Sequence, residues 1–284
     1  MPQAAASSKE ALQTIWRITG AIVLVSLGIV IARGYLAGER EGVRFEEAVE
    51  RMLALYDEDP QARRPETREA IERMANIARE DPANAPAEAY FALGVLLDGQ
   101  GLLEEAEAAY REAILRDPEW GRSYYGLGVV LRQMERIEEA EDSLRQAIAL
   151  EPGWSRGHNG LAILLRMTGR MEEARERAKR AVELAPNNVA SRNNYGNLLV
   201  RLERYDEAVE QYRVAISVAP DHPAPYYNLA CVSSLQGNHE AAYEYLGQAI
   251  ALDPVFREQA LKDADLDAIR DEPEFRALVY DEDE

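Results

Sequence analysis

Acidic residues near the C-terminal end have the spacing of a calcium-binding loop. They fall at positions one, three, five and twelve of such a loop: Asp263, Asp265, Asp267 and Glu274. Ala268 stands where the loop needs a glycine for its sharp turn, and Arg270 stands where an apolar residue is expected. The pattern is more typical of a helix N-terminus, where the helix dipole favours acidic side chains. We therefore predict no metal site here.

Nucleophilic and acid–base chemistry has few candidate residues in this chain. It contains one cysteine, Cys231, and three histidines, His158, His222 and His239. These are too few soft ligands for a structural zinc site, and a single cysteine cannot form an intrachain disulfide. No histidine neighbours Cys231 in sequence, so a thiolate–imidazole pair has no local support. We predict that the protein is not an enzyme and that it holds no cofactor.

The charge balance restricts the class of partner. Aspartate and glutamate outnumber lysine and arginine by 51 to 32, which gives a net charge of -19 over 284 residues. Such a charge repels a phosphate backbone unless the basic residues cluster on one face. The hydrophobic content of 47% is sufficient for a packed core. The composition therefore predicts a globular protein that does not bind nucleic acid.

An apolar segment near the N-terminus has the length of a membrane span. No charge interrupts the residues between Arg17 and Arg33, and the apolar character extends over residues 15–36. As a helix this segment would be about 33 Å long, close to the ~30 Å hydrocarbon core of a bilayer. We predict one transmembrane anchor at 15–36, preceded by a tail at 1–14. A signal peptide cleaved after Ala32 is the alternative, and the flanking arginines leave the orientation of the anchor open.

The remainder of the chain contains an internal repeat. Five blocks align without a gap and close at prolines that are spaced by 34 residues: Pro118, Pro152, Pro186, Pro220 and Pro254. Apolar residues recur at helical spacing in each block, and the proline ends the helix because it lacks an N–H. A second amphipathic stretch precedes each block, and the turn between them contains glycine in three repeats: Gly101, Gly169 and Gly237. Each unit is predicted to be a helix, a tight turn and a second helix.

Residue size within the unit follows a fixed pattern. The eighth position is glycine or alanine in every repeat, and positions twenty and twenty-seven are always alanine. This pattern resembles the tetratricopeptide repeat family, which has a 34-residue unit with an aromatic residue at the fourth position. Arg192 departs from the family at that position and Ser233 departs at position eleven, so each predicts one weakened local contact.

The resemblance implies an all-α, right-handed α-solenoid, to which the apolar segment adds one predicted N-terminal transmembrane helix. It covers residues 87–256, divided into five repeats: 87–120, 121–154, 155–188, 189–222 and 223–256. Residues 43–86 are predicted to form an irregular helical hairpin that caps the N-terminal end. Residues 257–284 are predicted to form C-terminal capping helices and an acidic tail, because the last hairpin cannot bury its own apolar face.

In the resembled family, six positions of the first helices line an inner groove that binds extended peptides. Carried onto this chain, they give the candidate partner-binding residues: Arg122, Tyr125, Arg132, Arg156, Asn159, Arg166, Asn193, Asn194, Asn197, Arg201, Tyr227 and Asn228. Asparagine can donate to and accept from a peptide backbone, and arginine binds carboxylates through two N–H groups. We therefore expect a protein or peptide ligand with acidic side chains or a C-terminal carboxylate.

The resemblance also implies a role, which is that of a membrane-anchored scaffold or adaptor that assists assembly of a membrane or envelope complex. The layout is similar to that of anchored bacterial repeat proteins, which favours a bacterial inner membrane with the repeats in the periplasm. A cytoplasmic orientation stays open. The alternative role is a structural subunit of a larger complex or oligomer that captures no peptide. The sequence identifies neither the partner nor the pathway nor the oligomeric state.

Overall fold

The computed structural model describes residues 65–280, and all regular structure in this range is helical. The α-helices are α1 Pro65–Glu80, α2 Ala87–Gly99, α3 Leu103–Arg116, α4 Gly121–Gln133, α5 Ile137–Leu150, α6 Ser155–Met167, α7 Met171–Leu184, α8 Val189–Arg201, α9 Tyr205–Val218, α10 Pro223–Leu235, α11 His239–Leu252, α12 Val255–Lys262 and α13 Pro273–Val279. A short 3₁₀ helix, Ala264–Leu266, lies between the last two. Within residues 65–280, none of these helices has the length and apolar character that a bilayer crossing requires. The predicted anchor at 15–36 lies outside the described residues.

The chain divides into two compact units, residues 1–140 and 141–284. In the described part of the first unit, α1 packs on α2, α2 pairs with α3 as a hairpin, and α3 packs on α4. In the second unit, α6 to α11 form three consecutive hairpins, and α12, the 3₁₀ helix and α13 follow them. The division falls within α5.

The turn inside each hairpin has one backbone conformation in all five repeats. Gly101, Gly169 and Gly237 have φ values of 76°, 77° and 73°, the left-handed region in which glycine is favoured. The two repeats without glycine adopt the same conformation, with φ of 60° at Glu135 and 56° at Glu203. The predicted left-handed turn is therefore confirmed, and it forms even where the side chain opposes it.

The glycine at the eighth position leaves space for a tyrosine of the second helix. A Cβ atom added to Gly196 would lie 2.4 Å from the ring of Tyr212, and one added to Gly94 would lie 2.7 Å from the ring of Tyr110. Gly126 of α4 contacts the other side of Tyr110, where an added Cβ would lie 2.4 Å from its ring. Tyr110 therefore packs between α2 and α4, and the missing side chains allow the first helices to lie close together.

The side chain at the fourth position closes the loop between consecutive repeats. In four of the five repeats it hydrogen-bonds the carbonyl of the proline that ended the previous helix: Tyr90 with Pro82 (2.9 Å), His158 with Pro152 (3.1 Å), Arg192 with Pro186 (2.5 Å) and Tyr226 with Pro220 (3.1 Å). Arg192 also donates to Gln211 Oε1 at 2.8 Å. The expectation that Arg192 weakens this contact is not met, because its guanidinium makes the bond that the aromatic residues make.

The C-terminal helices cover the last hairpin. Leu266, Ile269 and Phe275 are fully buried together with Leu246 of α11. Polar bonds add to this apolar contact, since Glu272 accepts from Tyr243 and lies 3.0 Å from His239 Nδ1. Both partners of Glu272 lie on α11, so the segment after α12 is fixed to the second helix of the hairpin as well as to its core.

We expect Gly196→Ala to lower the free energy of unfolding by up to about 2 kcal/mol. Overpacking against the buried ring of Tyr212 costs ~1–3 kcal/mol, and the gain in helix propensity returns only about 1 kcal/mol. Urea unfolding followed by far-UV circular dichroism measures the difference. The matched control is Gly247→Ala in α11, where the new Cβ would meet Leu278 at an ordinary 3.4 Å. Equal stability changes in the two variants would contradict the packing assignment.

The left-handed turn predicts that replacing its glycine lowers the stability of the protein, whereas introducing a glycine there raises it. Gly169→Ala should destabilise by about 1 kcal/mol although its Cβ would meet nothing within 4 Å, because the left-handed backbone disfavours a side chain. Glu203→Gly should stabilise by roughly 0.5–1 kcal/mol for the same reason. The same unfolding assay applies, and a loss of stability in Glu203→Gly would refute the strained turn.

Candidate functional site

Polar side chains connect the first helices of the second unit. In α8, Asn194 Nδ2 donates to Asn159 Oδ1 of α6 at 3.2 Å, and Asn228 Nδ2 of α10 donates to Asn193 Oδ1 at 2.7 Å. We call the predicted partner-binding residues of these three helices the inner row: Arg156, Asn159, Arg166, Asn193, Asn194, Asn197, Arg201, Tyr227 and Asn228. The two bonds show that four asparagines of the inner row are neighbouring side chains on adjacent helices.

Each asparagine of these pairs retains hydrogen-bonding capacity. Within the described residues, the Nδ2 groups of Asn159 and Asn193 and the Oδ1 atoms of their partners have no further hydrogen-bond partner. If the side-chain amide oxygen and nitrogen were interchanged in both asparagines of a pair, the pair would still have one unused donor and one unused acceptor. The inner row therefore offers both groups that a peptide backbone requires.

A buried tyrosine orients a fifth asparagine of the inner row. Tyr212 of α9 is 1% exposed, and its hydroxyl donates to Asn197 Oδ1 at 2.6 Å. Burial raises the pKa of Tyr212 well above its ordinary value, so the phenol keeps the proton that it donates. With its oxygen bound in this way, Asn197 presents its amide N–H groups as donors.

The arginines of the second unit fall into two groups. Most of those that start or line the second helices are paired, as when Arg170 binds both Glu141 and Glu173 and holds the pKa of each carboxyl below its ordinary value. Arg166 and Arg201 of the inner row differ, since neither forms a salt bridge with any residue in the described range. Arg166 is half-buried and Arg201 is exposed. Arg166 and Arg201 are thus cations without a salt bridge in the described range, on helices that carry no acidic residue.

The positions of Arg166 and Arg201 place them within reach of each other. They occupy the twelfth and thirteenth positions of consecutive repeats. The equivalent residues of the first unit, Asp98 and Gln133, hydrogen-bond at 2.7 Å across the same sequence separation of 35 residues. No acidic residue of α6, α8 or α10 occupies an inner-row position. Guanidinium groups on helices that carry no acidic residue attract an anion.

Three predicted residues lie in the first unit and are described separately. Arg122, Tyr125 and Arg132 are all on α4. Arg122 is only 9% exposed, whereas the other two are half-buried. All three interact with neighbouring residues.

The inner row of α10 is covered by the chain itself. Tyr227 is 2% exposed and its hydroxyl donates to Asp263 Oδ2 at 2.8 Å, while Cys231 Sγ lies 3.8 Å from the same oxygen. Burial, together with the nearby carboxylates, raises the pKa of the Cys231 thiol far above its ordinary value. The thiol is therefore protonated at neutral pH and is a poor nucleophile. Only Asn228 remains half-exposed among the predicted residues of α10.

Three contributors to this site were not predicted from the sequence. Tyr212 sits at a position where the other repeats carry tyrosine, leucine or alanine, so its hydroxyl was not distinguished from a core side chain. Asp263 and Asp265 were considered only as calcium ligands. Asp263 instead accepts from the N–H of Asp265 through Oδ1 and from Tyr227 through Oδ2. Their proximity to Cys231 has no sequence signal because the segment lies outside the repeat.

Family comparisons agree with the repeat boundaries. Models described as tetratricopeptide repeat match residues 87–120, 121–153, 155–221 and 188–254. Together these matches cover more than half of the chain. A search of curated proteins finds no match.

Solved structures with the same fold include several repeat proteins. YrrB, described as a TPR protein with an unusual peptide-binding site, is 27% identical, with a TM-score of 0.50 over 68% of this chain and 100% of its own. PilF of Pseudomonas aeruginosa is 19% identical, with a TM-score of 0.54 over 88% of this chain and 96% of its own. PilW, described as a type IV pilus biogenesis factor, is 17% identical, with a TM-score of 0.57 over 62% of this chain and 81% of its own.

At 19% and 17% identity, the similarities to PilF and PilW concern the fold alone. The family matches, the 34-residue period and the helical hairpins agree with one another along the described chain. The protein belongs to the tetratricopeptide repeat family of protein-interaction scaffolds.

Proposed function

We propose that this chain is a membrane-anchored adaptor that holds an extended, acidic segment of a partner protein on the inner row of its second unit. The observation that carries the proposal is that Arg166 and Arg201 form no salt bridge within residues 65–280 and lie on the same helices as asparagines with unused donors and acceptors. In a chain of net charge -19, a site without acids on its own helices is selective for carboxylates.

The asparagine pairs and the arginines would have separate roles. Amide groups that alternate donor and acceptor suit the backbone of an extended segment of any sequence. The guanidinium groups add preference for acidic side chains or for a terminal carboxylate. YrrB supports the peptide-binding part of the proposal, because it is 27% identical and its description names a peptide-binding site.

Membrane anchoring is the second part of the proposal and depends on residues 15–36. Their uncharged length matches a bilayer core, and the two flanking arginines are near enough to the ends to reach the headgroups. A single anchor would concentrate the repeats at the membrane surface and raise the local concentration of a bound partner there. We propose a bacterial inner membrane with the repeats on the periplasmic side.

The binding proposal predicts that a labelled, terminally blocked penta-glutamate peptide binds the full-length chain. The double variant Arg166→Gln/Arg201→Gln should weaken this binding about tenfold, since two partly exposed charge-assisted bonds together contribute roughly 1.4 kcal/mol. Fluorescence anisotropy measures the affinity, and added salt should reduce it. Penta-glutamine should bind more weakly than penta-glutamate to the unmodified chain.

The matched control is Arg180→Gln/Arg213→Gln, which removes the same charge from exposed positions on α7 and α9. This control should retain the affinity of the unmodified chain. Equal weakening in the two double variants would show that only the net charge matters and would overturn the assignment to the inner row.

The anchoring proposal predicts that the full-length chain stays with membranes after alkaline extraction and that deletion of residues 15–36 releases it. N-terminal sequencing of the mature chain should read residues that precede Arg17. A mature chain that begins after Ala32 would instead establish a cleaved signal peptide and remove the anchor from the proposal.

A further inference from the structure

The C-terminal acidic segment, defined here as residues 263–267, lies against the inner row at its α10 end. Asp263 accepts from Tyr227, and the ligand atoms of Cys231, Asp263 and Asp265 all lie within 4.8 Å of one another. Tyr227 and Cys231 occupy inner-row positions of the repeat. The segment therefore places two carboxylates on the surface proposed to bind a partner's carboxylates.

The three aspartates of this segment have different surroundings. Asp263 accepts hydrogen bonds from Tyr227 and from the N–H of Asp265, and Asp267 is bound by Arg270. The carboxylate of Asp265 accepts no hydrogen bond from any residue in the described range, although the residue is half-buried. Its charge is opposed only by the field of Arg201, which lowers its pKa.

The surroundings of Asp265 do not favour its charged form. Burial is the main cause that raises its pKa above the ordinary value, and the charge of Asp263 raises it further. A raised pKa means that the folded chain binds this proton more tightly than the unfolded chain, so ionisation at neutral pH opposes folding. Because Leu266 and Ile269 next to it are fully buried, the backbone that carries the Asp265 carboxylate is fixed in position.

We infer that Asp265 is a specificity-determining residue of the inner row, which weakens the attraction of Arg201 for carboxylates and confines an acidic partner segment to α6 and α8. The inference rests on the proposed function. The fixed carboxylate repels a ligand that carries dense negative charge at the α10 end, whereas Arg166, one helix further away, retains its full attraction.

The segment acts as a fixed boundary and not as a removable lid. Leu266, Ile269 and Phe275 belong to the same buried cluster as Leu246 and Ile250 of α11, so displacing the segment would expose the core of the last hairpin. A bound partner therefore meets Asp265 in the same position as in the free chain. Its effect on affinity is electrostatic and constant.

The test compares Asp265→Asn with Asp267→Asn in the full-length chain, using the blocked penta-glutamate peptide as probe. Both variants add one positive unit to the net charge, but Asp267 is exposed and already paired with Arg270. We expect Asp265→Asn to raise the affinity about fivefold, the effect of one nearby and partly shielded charge, and Asp267→Asn to change it less than about twofold. In an Arg201→Gln background the gain from Asp265→Asn should fall to the level of the control.

The outcomes separate the inference from the proposed function. If the peptide binds the unmodified chain with dependence on Arg166 but the two asparagine variants behave alike, the specificity role of Asp265 is overturned and the binding proposal stands. If the peptide binds none of these proteins, both are overturned. Urea unfolding gives an independent readout, because Asp265→Asn should be at least as stable as the unmodified chain at neutral pH. A clear loss of stability would assign Asp265 to the fold and overturn the inference.

Discussion

The close approach of neighbouring helices, made possible by missing side chains, is the constraint on which the rest of this structure depends. Gly196 and Tyr212 fit together because a single added carbon would lie 2.4 Å from the ring. Where the eighth position is Ala230, the facing second helix carries the smaller Leu246, and both are fully buried. The small residue at the eighth position of α8 thus accommodates Tyr212, whose hydroxyl donates to Asn197 Oδ1 of the inner row at 2.6 Å.

The first and second helices of the repeats differ in how their charges are paired. On the second helices, arginine and glutamate neutralise each other within and between repeats, as Arg170 does with Glu141 and Glu173. The first helices of the second unit carry arginines without such partners in the described chain, and the acidic segment approaches them from one end only. The functional proposal follows from this difference, because a cation that the fold leaves unpaired is available to a ligand.

The structural features that could be predicted from the sequence are those that recur in every repeat. The 34-residue period was sufficient to predict the hairpins and the left-handed turn, since every repeat supplies an independent copy of the same pattern. Arg192 shows the limit of such a pattern, because a residue type outside the family preference makes the same bond to Pro186 by different chemistry. The contact between Tyr227 and Asp263 spans 36 residues and joins the repeat to a segment with no period, so residue spacing carries no signal for it. The asparagine pairs were predicted as single positions only, since their sequence separation of 35 residues follows from how adjacent helices cross.

Photo-crosslinking tests the central claim most directly. A penta-glutamate peptide with a photoreactive group at its centre is bound to the full-length chain, irradiated, and the crosslinked residues are identified by mass spectrometry. The account predicts crosslinks to α6 and α8, near Asn159, Asn193 and Asn197, that become weaker when Arg166 and Arg201 are replaced by glutamine. Crosslinks concentrated on α7 or α9, or unchanged in that variant, would contradict the claim that the first helices of the second unit form the binding surface.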